Sequence, residues 1–595
     1  MISCVQGRRA FLLAVALVSG CGYGSGAVVN GTSGAGGGAN ATGGSRASGG
    51  STGTAGSPSP TGGTGTGGVA AGSGGSGDAT DAGTGGSSTG GSDGRGGSTG
   101  ASGGAGGRAT TGTGGKSATG GSTGGGGSVS DGWGTPVSGG PTGSGVTATV
   151  TISPNTTVGN IGPDFVGFSY EKTHMTNDSL TSTNSKLVEL YKLLGTPSLR
   201  IGANDVDLTT WAGTGAAPTQ PSGQPFAKTT NTGEVDQLCS FLTATGSKAI
   251  YGVNYKAANV SSASAEAAYI MGKCGSSVYG FEIGNEIDKY GSWSSLQSQW
   301  ESFADAILAT PGALLIGPAA AGGDSSSLSV PFAKSESAKY GNKLVLLTQH
   351  YYVAGSGTTS ANAAALQTIK SDIVSISNTM NGAAVQYKIR DGYRFGECNS
   401  FYGHGQMGVS DALISGLWVL DLMFVNAQNG SSGVNLHGGE TGMDGTKPFY
   451  YEPIMENQGL VTGVQPVYYG MLLFTLAGTG PMVSTAVNTS NANFTAYAIK
   501  ASGFTGIVLV NKSGTSGVNA TVSVGSAVSS ASAIYLQGTP AGSLSAAASA
   551  VTLAGAPVTT SGTWNRNPPF TQTVSGNSVS VYVPAATAAV VRAFQ

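Results

Sequence analysis

Tyr279-Gly280-Phe281-Glu282-Ile283-Gly284-Asn285-Glu286 is a short apolar run that ends in a carboxylate, and Tyr393-Arg394-Phe395-Gly396-Glu397 repeats the pattern further along. Each reads as a buried strand: too short for a helix and bounded by turn formers. The two glutamates are separated by 397 − 286 = 111 residues, or three βα units of about 37 residues each. That spacing places them on the fourth and seventh strands of a (β/α)₈ barrel. Both then stand at C-terminal strand ends, where barrels of this kind carry their chemistry.

Outward from these two strands the alternation continues. The remaining barrel strands fall at 165–171, 198–202, 248–255, 314–318, 344–352 and 433–439, with the two quoted runs at 278–286 and 393–397. Helical patterns lie between several of them, most clearly at 185–195, 262–274, 296–309, 361–380 and 410–428, with a last one near 466–477. Strands alternating with helices imply an α/β fold with a parallel sheet, here a catalytic barrel over 161–480. Beyond it, 481–595 carries short β-rich runs such as Phe494-Thr495-Ala496-Tyr497-Ala498-Ile499, split by Gly, Ser and Asn. This is the pattern of an all-β sandwich. The stretch 145–160 has the same style and is expected to add a strand to that sandwich.

The N-terminal quarter follows other rules. About half of the 104 glycines precede residue 145. The segment 22–144 is almost entirely Gly, Ser, Thr and Ala and cannot bury enough apolar surface to offset its chain entropy. It is expected to be a disordered linker, with an r.m.s. span of about 55–65 Å for a Gly-rich coil of roughly 120 residues. Residues 1–21 read as a targeting segment. Arg8-Arg9 precede the apolar run Phe11 to Val18, and Ser19-Gly20-Cys21 follows. The run is too short for a permanent membrane span. A small residue before Cys at its end resembles a bacterial lipobox, which implies cleavage before Cys21 and lipidation of its thiol. The Arg pair also resembles a twin-arginine signal. The expected location is outside the cytoplasm, as a membrane-anchored lipoprotein at the bacterial cell surface or in the periplasm.

Net charge is −2 and charged residues make up 9 % of the chain, with no block of Lys or Arg. Nucleic acid is therefore not an expected partner, since it demands clustered cations. Of five cysteines, Cys239, Cys274 and Cys398 lie beyond the signal and anchor. A Cys239–Cys274 disulfide is open to them in an oxidising compartment. No CxxC or His/Cys cluster occurs, so no metal site or other cofactor is expected. Cys398 follows Glu397 and faces the opposite side of its strand, toward the core. A monomer is the expected state.

Two carboxyl groups across a barrel mouth suit glycosidic cleavage. One protonates the departing oxygen, and the other attacks C1 or activates water. The Asn285 amide, beside Glu286, can bond the sugar 2-hydroxyl, a contact that strengthens in the transition state. Arg200 reads as a buried structural cation near Glu397.

These motifs resemble glycoside hydrolase family 79, the β-glucuronidase and heparanase family of clan A. The resemblance spans about 146–595. Glu282-Ile283-Gly284-Asn285-Glu286 is similar to the family's acid/base motif, and Phe395-Gly396-Glu397-Cys398-Asn399-Ser400-Phe401-Tyr402-Gly403 to its nucleophile motif. Phe165-Val166-Gly167-Phe168-Ser169-Tyr170-Glu171 resembles its first strand and Leu199-Arg200-Ile201-Gly202 its second. The resemblance implies a retaining mechanism, with Glu286 as acid/base and Glu397 as nucleophile, acting on a carbohydrate that bears a β-linked uronic acid. It further implies that Tyr402, Gly403 and Tyr468 hold the uronate carboxylate. Glu171 and Asn204 would meet sugar hydroxyls, and His350 would lie near the nucleophile. Where the family often has a second glycine this chain has His404, which either crowds the carboxylate loop or adds a cation to it. Two other readings compete: a clan A glycosidase for neutral sugars, and a catalytically inactive carbohydrate-binding lipoprotein. The Tyr402 loop favours uronate over the first, and the presence of both glutamates argues against the second.

Overall fold

The computed structural model describes residues 133–214, 228–323, 325–369, 371–439 and 450–595. The expected targeting segment 1–21, with Cys21, and nearly all of the glycine-rich stretch lie outside the described residues.

Eight parallel strands close into a barrel in the order of the chain: Val166–Glu171, Ser198–Gly202, Ala249–Val253, Val278–Ile283, Leu315–Ala320, Leu344–Gly355, Tyr393–Tyr402 and Ser431–Gly438. Four of them are buried along their whole length and the other four at all but a few positions. Strands sandwiched between a barrel interior and a helical layer have no solvent face. They therefore read as continuous apolar runs rather than alternating ones. The expected (β/α)₈ class is what the chain adopts, and all eight expected strands are in it.

The helical layer is made of α1 (Ser185–Leu193), α2 (Thr232–Thr245), α3 (Val260–Cys274), α4 (Trp293–Leu308), α5 (Val330–Tyr340), α6 (Thr359–Gln367), α7 (Ser371–Gln386), α8 (Leu413–Gln428) and α9 (Pro466–Leu476). α2 and α5 were not among the clearest helical patterns in the sequence. α2 is instead specified at its ends: Asn231 and Glu234 form a capping box, and Gly246 closes the helix at φ +73°. α8 and α9 are buried nearly all round, because a second domain covers the side that solvent would otherwise bathe.

That domain is a curled sheet of eleven strands. Strand Gly145–Ile161 lies inside it, antiparallel to Gly480–Thr489 and parallel to Gly517–Ser523. The sheet thus joins the segment that enters the barrel to the segment that leaves it. Its curl encloses an apolar core of its own, with Val150, Ile507, Leu509, Val522, Val581 and Val591 in the interior.

Candidate active site

Strand register brings the site together. Glu397 on the seventh strand pairs with His350 on the sixth. His437 on the eighth pairs with Ser169 on the first, and Ser169 with Arg200 on the second. These side chains point into the barrel at one level. The fourth strand ends one turn higher in Gly284-Asn285-Glu286. Gly284 has φ +79°, and a Cβ there would fall 2.7 Å from Ile287 and 2.8 Å from Tyr255. Only glycine fits that bend. Glu286 itself sits in the left-handed region at φ 45°, ψ 50°, with its N–H donating to Ala319 O at 2.8 Å. A non-glycine residue held there is the kind of local strain that collects at functional sites.

Glu286 and Glu397 face one another across His350. One side-chain atom from each of the three lies within 4.8 Å of the other two. His350 Nδ1 is 3.1 Å from Glu286 Oε1 and 4.0 Å from Glu397 Oε2. Two different shells hold the two carboxylates. Glu397, with its side chain 5 % exposed, accepts from Arg200 Nη1 at 2.8 Å and from Tyr352 Oη at 2.9 Å. Glu286, 12 % exposed, touches the ammonium of Lys289, whose own side chain is 56 % exposed.

Arg200 organises the floor. Wholly buried, its guanidinium donates to Glu282 at 2.6 Å, Glu397 at 2.8 Å, Asn285 Oδ1 at 2.8 Å and Ser169 Oγ at 3.1 Å. Thr348 caps the second oxygen of Glu282 at 2.7 Å. Burial alone would discharge such a cation, but Glu282 and Glu397 outweigh it and keep Arg200 charged. In return, burial pushes the Glu397 carboxyl up, while His437, His350, Arg200 and the Tyr352 hydroxyl pull it well below the usual carboxylate range. These partners favour the ionised form of Glu397. Burial and the charge of Glu397 raise Glu286, but His350 and Lys289 together outweigh them, so its carboxyl too lies below the ordinary value.

The other sequence-derived positions divide. Asn285 and Asn204 meet at 3.3 Å beside the carboxylates. Glu171 closes the first strand and accepts the Asp205 N–H at 2.7 Å, with His437 Nε2 3.6 Å from its other oxygen. Tyr402 stands 61 % exposed on the rim, its ring edge-on to Tyr352 at 6.4 Å. Gly403, His404 and Gly405 follow in a left-handed run at φ 78°, 72° and 81°, so His404 takes a backbone shape that suits glycine without breaking the turn.

Tyr468 does not join them. Fully buried in α9, it donates its hydroxyl to Leu190 O in α1 at 2.6 Å. It is a packing residue between two outer helices, and its expected place in a carboxylate subsite is corrected on that ground.

Four participants escaped the sequence reading, the first of them His437, which draws the Glu397 carboxyl down. Tyr352 holds Glu397. Lys289 holds Glu286. Asp205 is buried against Glu171, and burial together with that neighbouring charge raises its carboxyl to about 7. A titratable residue just after the second or fourth strand is the signal that could have found Asp205 and Lys289; Tyr352 lies within the sixth strand, two residues past His350. The Glu286, His350 and Glu397 set is compact enough to approach a metal ion, but Arg200 already occupies one Glu397 oxygen and opposes a second cation there.

No protein-family model matches the sequence, and no curated protein is significantly similar to it. Solved structures do align with it. One is a 4-O-α-L-rhamnosyl-β-D-glucuronidase from Fusarium oxysporum 12S, with TM-score 0.60 and 21 % identity over 75 % of this chain and 100 % of that one. A GH51 arabinofuranosidase from Xanthomonas axonopodis pv. citri aligns with TM-score 0.53 and 14 % identity, over 75 % and 100 %. A glycoside hydrolase family 44 xyloglucanase from Paenibacillus polymyxa aligns with TM-score 0.52 and 13 % identity, over 76 % and 100 %. This chain is similar in fold to these glycoside hydrolases, barrel and β-domain together.

Proposed function

We propose that the chain is a retaining β-glycosidase that releases a terminal β-linked uronic acid. The observation that carries this reading is the distance between the candidate carboxylates. An oxygen of Glu286 and one of Glu397 lie within 4.8 Å. Retaining glycosidases hold their two carboxyl groups about 5–5.5 Å apart, whereas inverting ones need roughly 6.5–9.5 Å to admit a water. In this mechanism Glu397 attacks the anomeric carbon while Glu286 protonates the leaving oxygen. Glu286 then takes a proton from the water that releases the sugar. Arg200 and Tyr352 hold Glu397 in its ionised form and fix its direction. The Asn285 amide, oriented by Arg200 and Asn204, would donate its remaining N–H to the sugar 2-hydroxyl.

Two observations support uronate as the sugar: the likeness to the Fusarium glucuronidase and the Tyr402-Gly403-His404 turn on the rim. Backbone donors in such a turn bind an anion without a dedicated cation. The alignments with an arabinofuranosidase and a xyloglucanase favour a second reading, a neutral sugar in the same site. A panel of nitrophenyl β-glycosides separates the two. Hydrolysis of the glucuronide well above the glucoside, galactoside and xyloside is expected; preference for a neutral glycoside would replace the uronate reading, and no turnover of any would reject the hydrolase. We also propose export and lipid anchoring through Cys21, from the Val18-Ser19-Gly20-Cys21 sequence. Detergent-phase partitioning of the wild type, lost in Cys21→Ala, is the expected result.

A further inference from the structure

On the face of the barrel opposite the catalytic carboxylates, a cavity of about 430 Å³ lies between the barrel floor and the β-domain. Val166, at the N-terminal end of the first strand, lines it; Glu171 ends the same strand, roughly 17 Å away at about 3.3 Å per residue. Leu194, Leu472 and Phe474 give it apolar walls, and Trp133, Trp564 and Arg566 close one side.

The polar side is organised in a particular way. Both indoles are pinned by their N–H groups, Trp133 to Ser532 Oγ at 2.8 Å and Trp564 to Leu553 O at 3.0 Å. The Arg566 guanidinium lies 5.8 Å from the Trp133 ring and 5.5 Å from the Trp564 ring. Stacking of this kind engages the face of the guanidinium and leaves its in-plane N–H donors unspent. Among the described residues none accepts from Arg566, and no carboxylate stands within ion-pair distance of it. Burial, with the charge of Arg592 adding to it, lowers the Arg566 pKa. Arg592 lines the same cavity and donates to Leu476 O at 3.2 Å. The Arg566 guanidinium, partly buried beside an apolar hollow and with no carboxylate at ion-pair distance, offers its N–H donors to an anion.

We propose that this cavity is a second ligand site, which binds a small aromatic carboxylate with its ring against Leu194, Leu472 and Phe474 and its carboxylate on the N–H edge of Arg566. The volume falls in the range of small-molecule sites. Apolar walls disfavour a free sugar, whose hydroxyls would lose their water without finding partners. A carboxylate paired with guanidinium in a fork geometry recovers what its desolvation costs.

Calorimetric titration of the full-length protein with 4-hydroxybenzoate tests the site. Saturable one-site binding is expected, retained in Glu397→Gln, and weakened by about tenfold or more in Arg566→Ala. The neutral isostere 4-hydroxybenzamide should be weaker by a similar factor. Thr196→Trp, at an exposed position on the cavity wall, should block binding with Arg566 intact, so the result does not hang on the folding of one variant. Glycosidase turnover should be the same in Arg566→Ala as in wild type. Equal binding to wild type and Arg566→Ala would overturn the proposal. So would loss of binding in Glu397→Gln, which would place the ligand at the catalytic carboxylates. Tighter binding of octanoate than of 4-hydroxybenzoate would replace the aromatic ligand with a fatty acid.

Discussion

Glu286 and Glu397 have the same side chain in different surroundings, and the proposed roles follow that difference. Glu397→Ala should abolish turnover of every substrate, because no other group at the site can attack the anomeric carbon. Glu286→Ala should spare the first step for acidic leaving groups such as dinitrophenol, and azide should rescue the second step as the β-glycosyl azide; an α-azide product would reverse the assignment of Glu397. Lys289 carries a further consequence. Its ammonium lies against Glu286 and stabilises the ionised form. Glu286 must be protonated to act as the acid, so activity falls as pH rises through its pKa, and that pKa is depressed. The kcat/KM profile of the free enzyme should therefore have its alkaline limb at acidic pH. Lys289→Met removes the cation, raises the Glu286 pKa and should move that limb upward. A limb that stays in place would mean that Lys289 does not tune the acid. Both glutamates were legible in the sequence because a strand end is marked by where an apolar run stops. Tyr352 and Asp205 were not, because barrel closure, and no spacing along the chain, brings them to the carboxylates; Lys289 stands three residues after Glu286, but a lone lysine at that spacing does not single itself out in the sequence.

At the scale of elements, the same logic explains the one misplaced tyrosine. α9 is apolar on every side, so its sequence carries no stripe to tell the face toward the barrel from the face toward α1. Tyr468 could be assigned to a substrate pocket only by resemblance, and its bond to Leu190 O shows which way it turns. The strands were readable for the complementary reason: burial on both faces leaves short apolar runs at regular intervals. α2 and α3 are joined by a disulfide between Cys239 and Cys274, 35 residues apart. Closing a loop of that length stabilises by about 3–4 kcal/mol through the unfolded chain. The Cys239→Ser, Cys274→Ser double variant should lose up to that amount in denaturant unfolding, with kcat/KM unchanged, since both residues lie in the outer layer. α8 is tied differently. Asp421 accepts from Thr495 at 2.6 Å and Tyr497 at 2.8 Å and pairs with the buried ammonium of Lys512. Lys512→Met leaves the Asp421 carboxylate buried without its counter-charge, which should cost about 3–5 kcal/mol. A melting temperature equal to wild type would show that the hydroxyls alone satisfy Asp421.

Over the whole molecule, the β-domain is built into the barrel rather than attached to it. Strand Gly145–Ile161 runs directly toward the first barrel strand, yet its hydrogen-bond partners are Gly480–Thr489 and Gly517–Ser523. The partners of Asp421 come from the same sheet. Phe424 in α8 stacks on Tyr497 at 4.5 Å and packs against Phe474 of α9 at 4.6 Å, so the sheet covers the outer faces of the last two barrel helices. A chain ending at residue 479 would lose both strand partners of 145–161, strand the Asp421 carboxylate, and expose helices that carry no polar face. Such a chain should be insoluble or unfolded although every candidate catalytic residue is present. Removal of residues 1–132 is the opposite case, because every contact described for the site and both domains is made by residues from Trp133 onward. That chain should keep kcat/KM within about twofold of wild type and melt at the same temperature, surface changes far from packed features being worth within roughly 0.5 kcal/mol. Soluble, fully active protein from the chain ending at 479 would make the β-domain an independent module, and the barrel would then have to be stable with two apolar helices open to water, a cost that exposed patches of that size rarely escape without aggregation.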